Sequence, residues 1–261
     1  MKYFLVKSPY RNDSEKLLQQ AVCSILDEYA ACVEAAENAE VIVPIGGDGT
    51  MLHSIRQFYH LNKPFIGING GTRGFLMNRL LDDEDIAHVL ENDVNFLDLW
   101  LLEGEIFSDD GSSKVYGFND IWVERSGGQT LRMFLTIDKR PTSEMITGDG
   151  MLFSTPQGST GYNLALRGKL ILPEVPVLQV TPIAAVINKN PLGSIILSDN
   201  SEIHVSFDKL SQRPGRIFVD GMLQDIQNFN AIRIRKSDRK VTLGFRQQED
   251  FISKMASWQI G

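Results

Sequence analysis

The stretch from Val41 to Thr50, VIVPIGGDGT, constrains this chain more than any other. Val41, Ile42, Val43 and Ile45 form a short apolar run rich in β-branched residues, the pattern of a buried strand in a parallel sheet. The run stops at Gly46-Gly47-Asp48-Gly49-Thr50, and Met51, Leu52, Ile55, Phe58 and Tyr59 then recur at helical spacing. The order is strand, glycine turn, helix. Glycines let the backbone bend tightly and let a ligand come where a Cβ would clash. The free N–H groups at the helix start favour an anion such as phosphate. Asp48 places a carboxylate in the middle of that anion site. Like charges repel, so Asp48 either holds a cation, accepts a proton, or serves as the N-cap of a purely structural turn.

The rest of the first third repeats the theme. Tyr3 to Val6 reads as a strand, and Ser14 can cap a helix that presents Leu18, Val22, Ile25 and Tyr29 on one face. Pro64 to Ile68 reads as a third strand, and it too ends in glycines, running Asn69-Gly70-Gly71-Thr72-Arg73-Gly74-Phe75-Leu76. Asp83 to Glu91 reads as a short helix. Alternation of strand and helix predicts a parallel sheet with ligand loops at the strand C-terminal ends, so both glycine loops should lie on one edge.

Near residue 95 the texture changes. Short β-patterned runs follow one another, with turn residues such as Asp110-Gly111, Gly127-Gly128 and Pro214-Gly215 between them. Val115–Glu124, Ala231–Arg235 and Val241–Phe245 each read as a strand. The expected organisation is an α/β domain over 1–95 and a β-rich domain over 96–261, whose last residues can return to the first.

Three stretches of the second half carry chemistry. Asn119-Asp120 sets an amide beside a carboxylate inside a strand pattern, where both are poor strand formers and both can bind polar ligand edges; a bulge is the plain alternative. Gly148-Asp149-Gly150 leads through Met151-Leu152-Phe153 into Ser154-Thr155-Pro156-Gln157-Gly158-Ser159-Thr160-Gly161-Tyr162, a dense glycine and hydroxyl loop before a helical stretch at Tyr162–Leu166. Its hydroxyls and N–H groups suit a sugar or a phosphate, or simply cap the helix. Asp220-Gly221 most simply makes a hairpin turn.

Composition excludes several classes. The net charge is -7 and no block of Lys and Arg occurs, which argues against nucleic acid. No apolar run approaches membrane-spanning length and no signal peptide precedes the first strand, so the expected location is the cytoplasm with no membrane partner. The two cysteines, Cys23 and Cys32, are too few for a disulfide scaffold. The four histidines have no ligand spacing, so a metal cage built by the protein is not expected. No G-x-S-x-G elbow, no G-x-x-x-x-G-K-[ST] loop and no helix-opening G-x-G-x-x-G occurs.

Taken together, GGDGT at 46–50, the glycine loop ending in Gly74-Phe75, the Asn-acid pair at 119–120 and Gly-Asp-Gly followed by STPxGSTxY resemble the NAD kinase family. The resemblance implies an enzyme that uses ATP to phosphorylate the 2′-hydroxyl of the adenosine ribose of NAD, making NADP. It implies a Rossmann-like α/β domain with a parallel sheet plus a β-rich C-terminal domain, Mg²⁺ carried with ATP, and a homodimer or homotetramer. By resemblance Asp48 is the proton acceptor, Gly46, Gly47, Gly49 and Thr50 hold phosphates, and Phe75 and Leu76 on the second loop bind the substrate or nucleotide. Asn119 and Asp120 grip the dinucleotide, Asp149 meets a ribose or the nicotinamide portion, and Thr160, Gly161 and Tyr162 wall the adenine and its ribose. Ala165 and Ala184 approach the ligand, the latter in some relatives from an adjacent subunit. The chain departs from the family pattern at Asp120, where Glu is familiar, and at Gly161, where Ala is familiar. Thr147 stands where a basic residue is common, Ala165 where many relatives carry Ser, and Gly221 where some carry His. The rival readings are a lipid kinase of the same superfamily and a non-catalytic NAD(P)-binding sensor.

Overall fold

The computed structural model describes residues 1–7, 24, 30–69, 74–79, 94–142, 144–208, 210–226, 228–246 and 254. The helices expected after Ser14 and over Asp83–Glu91, and the loop residues 70–73, lie outside them. The chain divides into two units, Met1–Leu99 with Lys240–Gly261, and Trp100–Arg239.

The first unit is built on a parallel sheet. Its strands are β1 (Lys2–Lys7), β2 (Ala31–Cys32), β3 (Val41–Gly46) and β4 (Ile68–Asn69), in the order β2-β1-β3-β4. β3 is central and every one of its residues is buried, as its unbroken apolar run requires. Helix α1 (Asp48–Phe58) follows directly and buries Met51 and Ile55. Of the third predicted strand only Ile68–Asn69 is a ladder; Phe65 makes single bridges to Ile42 and to Leu243. Ile45 pairs with Ile68 and Gly46 with Asn69. Both glycine loops therefore leave the sheet at the same level, as the strand–helix alternation predicts.

The second unit is a sandwich, the first of its strands belonging to it from Trp100 onward and the last up to Arg239. In chain order its strands are β5 (Val94–Ser108), β6 (Gly111–Gly117), β7 (Asp120–Arg125), β8 (Leu131–Ile137), β9 (Arg140–Pro141), β10 (Ile146–Gly148) and β11 (Gly150–Ser154). After the short helix α2 (Tyr162–Ala165) come β12 (Val177–Ile183), β13 (Val186–Ile187), β14 (Asn190–Pro191), β15 (Ile195–Ser198), β16 (Ile203–Phe207), β17 (Gly215–Val219), β18 (Met222–Leu223) and β19 (Phe229–Arg246). One sheet runs β14-β13-β10-β8-β16-β19-β5-β6, and the other runs β15-β12-β11-β7-β17-β18. Between them lies a dry core, to which the smaller sheet contributes Ile121, Val123, Met151, Phe153, Ile217 and Val219. Alternation along a strand then fixes what faces the other way: Asp120, Trp122 and Glu124 on β7, and Arg216 and Phe218 on β17.

Two strand expectations are corrected. Val115–Glu124 is not one strand: it breaks between Gly117 and Asp120. The N–H groups of Phe118 and Asn119 turn to the carboxylate of Asp220, which also accepts that of Asp120 at the start of β7. Ala231–Arg235 and Val241–Phe245 are parts of the single strand β19. The side chains of the polar run between them have partners that an extended backbone can reach. Lys236 pairs with Asp199, Arg239 lies over the Tyr116 ring, and Lys240 pairs with Asp98.

Candidate active site

In the first unit the site is the turn from β3 into α1. Gly47 is the N-cap and Asp48 is the first helical residue, with no side-chain cap bond. The capping alternative for Asp48 is therefore excluded. Its carboxylate instead accepts the N–H of Phe75 at one oxygen and of Leu76 at the other, both at 2.9 Å. Asp48 thus ties the first glycine loop to the second. Phe75 and Leu76 have buried side chains and reach the site through their backbone. Burial pushes the Asp48 carboxyl up; the two N–H bonds and the charge of Lys254 oppose this without cancelling it. Two of the roughly four lone-pair directions of a carboxylate are taken, which leaves acceptor capacity for a ligand proton. A Cβ at Gly47 or Gly49 would meet nothing within 4 Å. The fold itself does not require glycine there, whereas a ligand brought against the backbone does. Gly46 precedes them with φ 155°, and Thr50 is buried in the first turn of α1.

The second loop is held from behind by a residue the sequence reading passed over. Asn78 is fully buried, donating to the carbonyls of Gly67 and Gly244 and accepting the N–H of Arg246. Nothing in a single sequence separates it from any surface asparagine, because its partners lie 11 and 166 residues away.

In the second unit the outward positions of the smaller sheet make the candidate site. Trp122 and Phe218 are cross-strand partners, and their rings stack at 4.7 Å with planes 6° apart. Tyr162, at the start of α2, packs against Trp122 at 5.1 Å. Glu124 accepts from the Trp122 indole and from Arg216, and Asp149 accepts from Arg125 at 2.7 Å. Glu124, Arg125, Asp149, Tyr162, Ile183 and Arg216 line a cavity of about 370 Å³. An aromatic wall beside paired charges suits a flat heterocycle carrying polar substituents. Arg125, Trp122 and Arg216 went unmarked in the sequence because they are ordinary residues of an alternating strand.

Asn119 and Asp120 lie at the strand break beside this wall. Asp120 is buried; desolvation drives its carboxyl well above the ordinary value, and the charge of Asp220 adds to this. The Asn119 Oδ1 atom is buried with no hydrogen-bond partner. Gly158 packs so tightly that a Cβ would stand 2.1 Å from the Asn119 carbonyl oxygen. Gly161 lies over the pair, its notional Cβ 3.4 Å from the Asn119 amide nitrogen and 3.9 Å from the Asp120 carboxylate. Thr160 ends the turn Gln157–Thr160 just before it. Ala165 is exposed at the end of α2 and is not among the residues lining the cavity. Ala184 follows Ile183 with φ 44°, a left-handed conformation that costs a non-glycine residue roughly 1–2 kcal/mol. Among the described residues no group of three or more His, Cys, Asp and Glu is placed to hold a metal ion.

Against known proteins, the model for the ATP-NAD kinase N-terminal domain matches residues 5–95, and that for the ATP-NAD kinase C-terminal domain matches residues 118–244. The chain belongs to the NAD kinase family. Curated relatives agree: the NAD kinase of Rickettsia africae is 29% identical over 229 residues, covering 86% of this chain and 87% of that one. The NAD kinase of Brucella suis is 27% identical over 226 residues, covering 86% of each. Among solved structures, yeast NADH kinase complexed with NADH superposes with a TM-score of 0.80 at 19% identity, covering 99% of this chain and 87% of that one. The NAD kinase from Archaeoglobus fulgidus in complex with ATP gives 0.76 at 23% identity and covers all of both chains. A parallel-sheet N-terminal part with a β-rich C-terminal part is thus the fold of NAD kinases. The molecule is an enzyme of that kind, and the lipid-kinase and sensor readings fall away.

Proposed function

We propose that this kinase transfers the terminal phosphoryl group of ATP, with Mg²⁺, to the 2′-hydroxyl of the adenosine ribose of NAD, releasing NADP and ADP. The observation that carries this reading is Asp48: a carboxylate in a phosphate-type glycine turn, raised toward neutrality by burial and still able to accept a proton. A ribose hydroxyl is a weak nucleophile, and phosphoryl transfer asks mainly for alignment and for neutralised phosphate oxygens. In this reading the N–H groups after Gly46, Gly47 and Gly49, with Thr50, bind phosphate oxygens at the start of α1. Mg²⁺ comes with the nucleotide phosphates and supplies the remaining neutralisation. Asp48 takes the proton of the 2′-hydroxyl, a role typically worth ~10² to 10⁴ in rate.

The dinucleotide is gripped by the second unit. Asn119 and Asp120 bind it by amide and carboxyl, Asp149 meets a ribose or the nicotinamide portion, and Thr160, Gly161 and Tyr162 wall the adenine and its ribose. The NADH and ATP named for the two solved relatives support this pair of substrates. Ala184 approaches the ligand in a homodimer or homotetramer; its left-handed backbone and the exposed Val186 beside it support a contact there. Light scattering that gives only monomer at micromolar concentration, with full activity, removes that part. The cytoplasm is the proposed location; no described helix is long and apolar enough to cross a membrane. Incubation with ATP, Mg²⁺ and NAD, followed by an NADP-specific dehydrogenase assay, tests the reading. Absence of NADP from folded protein rejects it.

A further inference from the structure

The Asp220-Gly221 dipeptide makes the tight turn its sequence suggests, with φ 46° and 82° between β17 and β18. That geometry does not explain why the residue is aspartate, nor why its side chain is buried. Its carboxylate accepts the N–H of Phe118 at 2.8 Å, of Asn119 at 2.7 Å and of Asp120 at 3.2 Å, about 100 residues away in the chain. Its own N–H donates to the Asp120 carbonyl at 3.1 Å. On the other side of the same three residues, Thr155 Oγ1 donates to the Phe118 carbonyl at 2.7 Å, and Gln157 Nε2 to the same oxygen at 2.9 Å. The N–H groups of Phe118, Asn119 and Asp120 thus all go to one buried carboxylate, and the Phe118 carbonyl to two buried side chains. What stays unpaired is the Asn119 Oδ1 atom.

We propose that Asp220 is a positioning residue for dinucleotide binding. Its carboxylate holds the strand break at Phe118-Asn119 and the first residue of β7, and fixes the direction in which the Asn119 amide and the Asp120 carboxyl meet the ligand. This rests on the reading that Asn119 and Asp120 grip the dinucleotide. A β-ladder would have used these N–H groups and alternated the two side chains across the sheet. Gathering three N–H groups on one carboxylate instead makes a small concave nest and holds both functional side chains in one orientation before ligand arrives, which lowers the ordering cost of binding.

The test is Asp220→Asn, because asparagine tolerates positive φ as well as aspartate does. The amide presents one acceptor oxygen and turns its NH₂ toward at least one of the N–H donors. We expect Kd and KM for NAD to rise about tenfold or more, the equivalent of one lost charge-assisted hydrogen bond. KM for ATP stays within about twofold, because the proposed phosphate loop is untouched; a merely structural weakening would move both. Asp225→Asn makes the same charge change at an exposed neighbour and leaves NAD affinity at the parental value. Should the amide variant melt below assay temperature, Asp220→Glu, with its carboxylate carried one methylene further, is compared in the same way and again weakens NAD alone. A folded Asp220 variant that binds NAD within about twofold of the parent overturns the proposal, as does an equal rise in KM for NAD and ATP. NAD titration is read independently of turnover. A parent that binds NAD but makes no NADP rejects the proposed reaction and leaves the Asp220 comparison intact. A parent that does not bind NAD rejects both.

Discussion

Replacing Asp48 by asparagine separates chemistry from architecture at the glycine turn. The carboxylate holds two N–H groups, Phe75 and Leu76, both at 2.9 Å. Asparagine keeps one acceptor and points its NH₂ at the other donor, losing a charge-assisted bond worth roughly 1.5–3 kcal/mol. In return it removes a buried charge, and the raised Asp48 carboxyl shows that burial outweighs the bonds that favour the anion. The two effects oppose, so the net stability change should stay within about 2 kcal/mol. At roughly 2–4 °C per kcal/mol for a chain of this size, Tm should move by less than ~8 °C. The rate should change far more. Loss of a general base costs ~10² to 10⁴, equivalent to roughly 3–5 kcal/mol of barrier. Affinity for ATP should change only a few-fold, since the backbone donors remain. A base must be unprotonated, so in the parent kcat/KM falls as pH drops through the raised Asp48 pKa, above the ordinary value of 3.8. In the variant that acid limb should vanish. Melting curves and NADP formation well below Tm, across pH, decide the matter. A folded Asp48→Asn protein with parental kcat and an unchanged acid limb refutes the assignment of Asp48 as base.

Three further outcomes are expected. Asp120→Asn removes a buried carboxyl whose folded pKa lies well above 3.8. The stability attached to its protonated form is complete below 3.8 and is lost as pH rises through the folded value. The variant should therefore melt higher than the parent at neutral pH, with the gap closing in acid, and a gap independent of pH contradicts the burial argument. Gly161→Ala introduces a Cβ 3.3 Å from the Gly158 carbonyl oxygen and 3.4 Å from the Asn119 amide nitrogen, at φ -85° and ψ -136°, outside the regions alanine favours. It should lower Tm and raise KM for NAD more than KM for ATP; a Tm at or above the parental value counts against it. Trp122→Ala removes the ring between Phe218 and Tyr162. KM for NAD should rise by about tenfold or more, in keeping with roughly 1–3 kcal/mol of lost aromatic packing, and parental KM shows that the wall does not touch the ligand.

The amino-acid sequence by itself determined what is local. An unbroken apolar run followed by glycines and a helical pattern reads as a buried strand turning into a helix, and β3 with α1 is that element. Short β-patterned runs likewise specified a β-rich part after residue 95, and the order of four motifs pointed to the family. What the sequence left open depends on partners far away in the chain. Asp48 reads as a cation ligand, a proton acceptor or a cap until Phe75 and Leu76 arrive 27 and 28 residues later to occupy its oxygens. Asn119-Asp120 reads as a strand interior or a bulge until Asp220 takes the N–H groups of Phe118, Asn119 and Asp120. Ala231–Arg235 and Val241–Phe245 read as two strands until Asp199, Tyr116 and Asp98 give the side chains between them extended partners. Hydrophobic periodicity is a property of neighbours in the chain. The hydrogen-bond partner of a buried carboxylate is a property of neighbours in space, and only the tertiary structure supplies those.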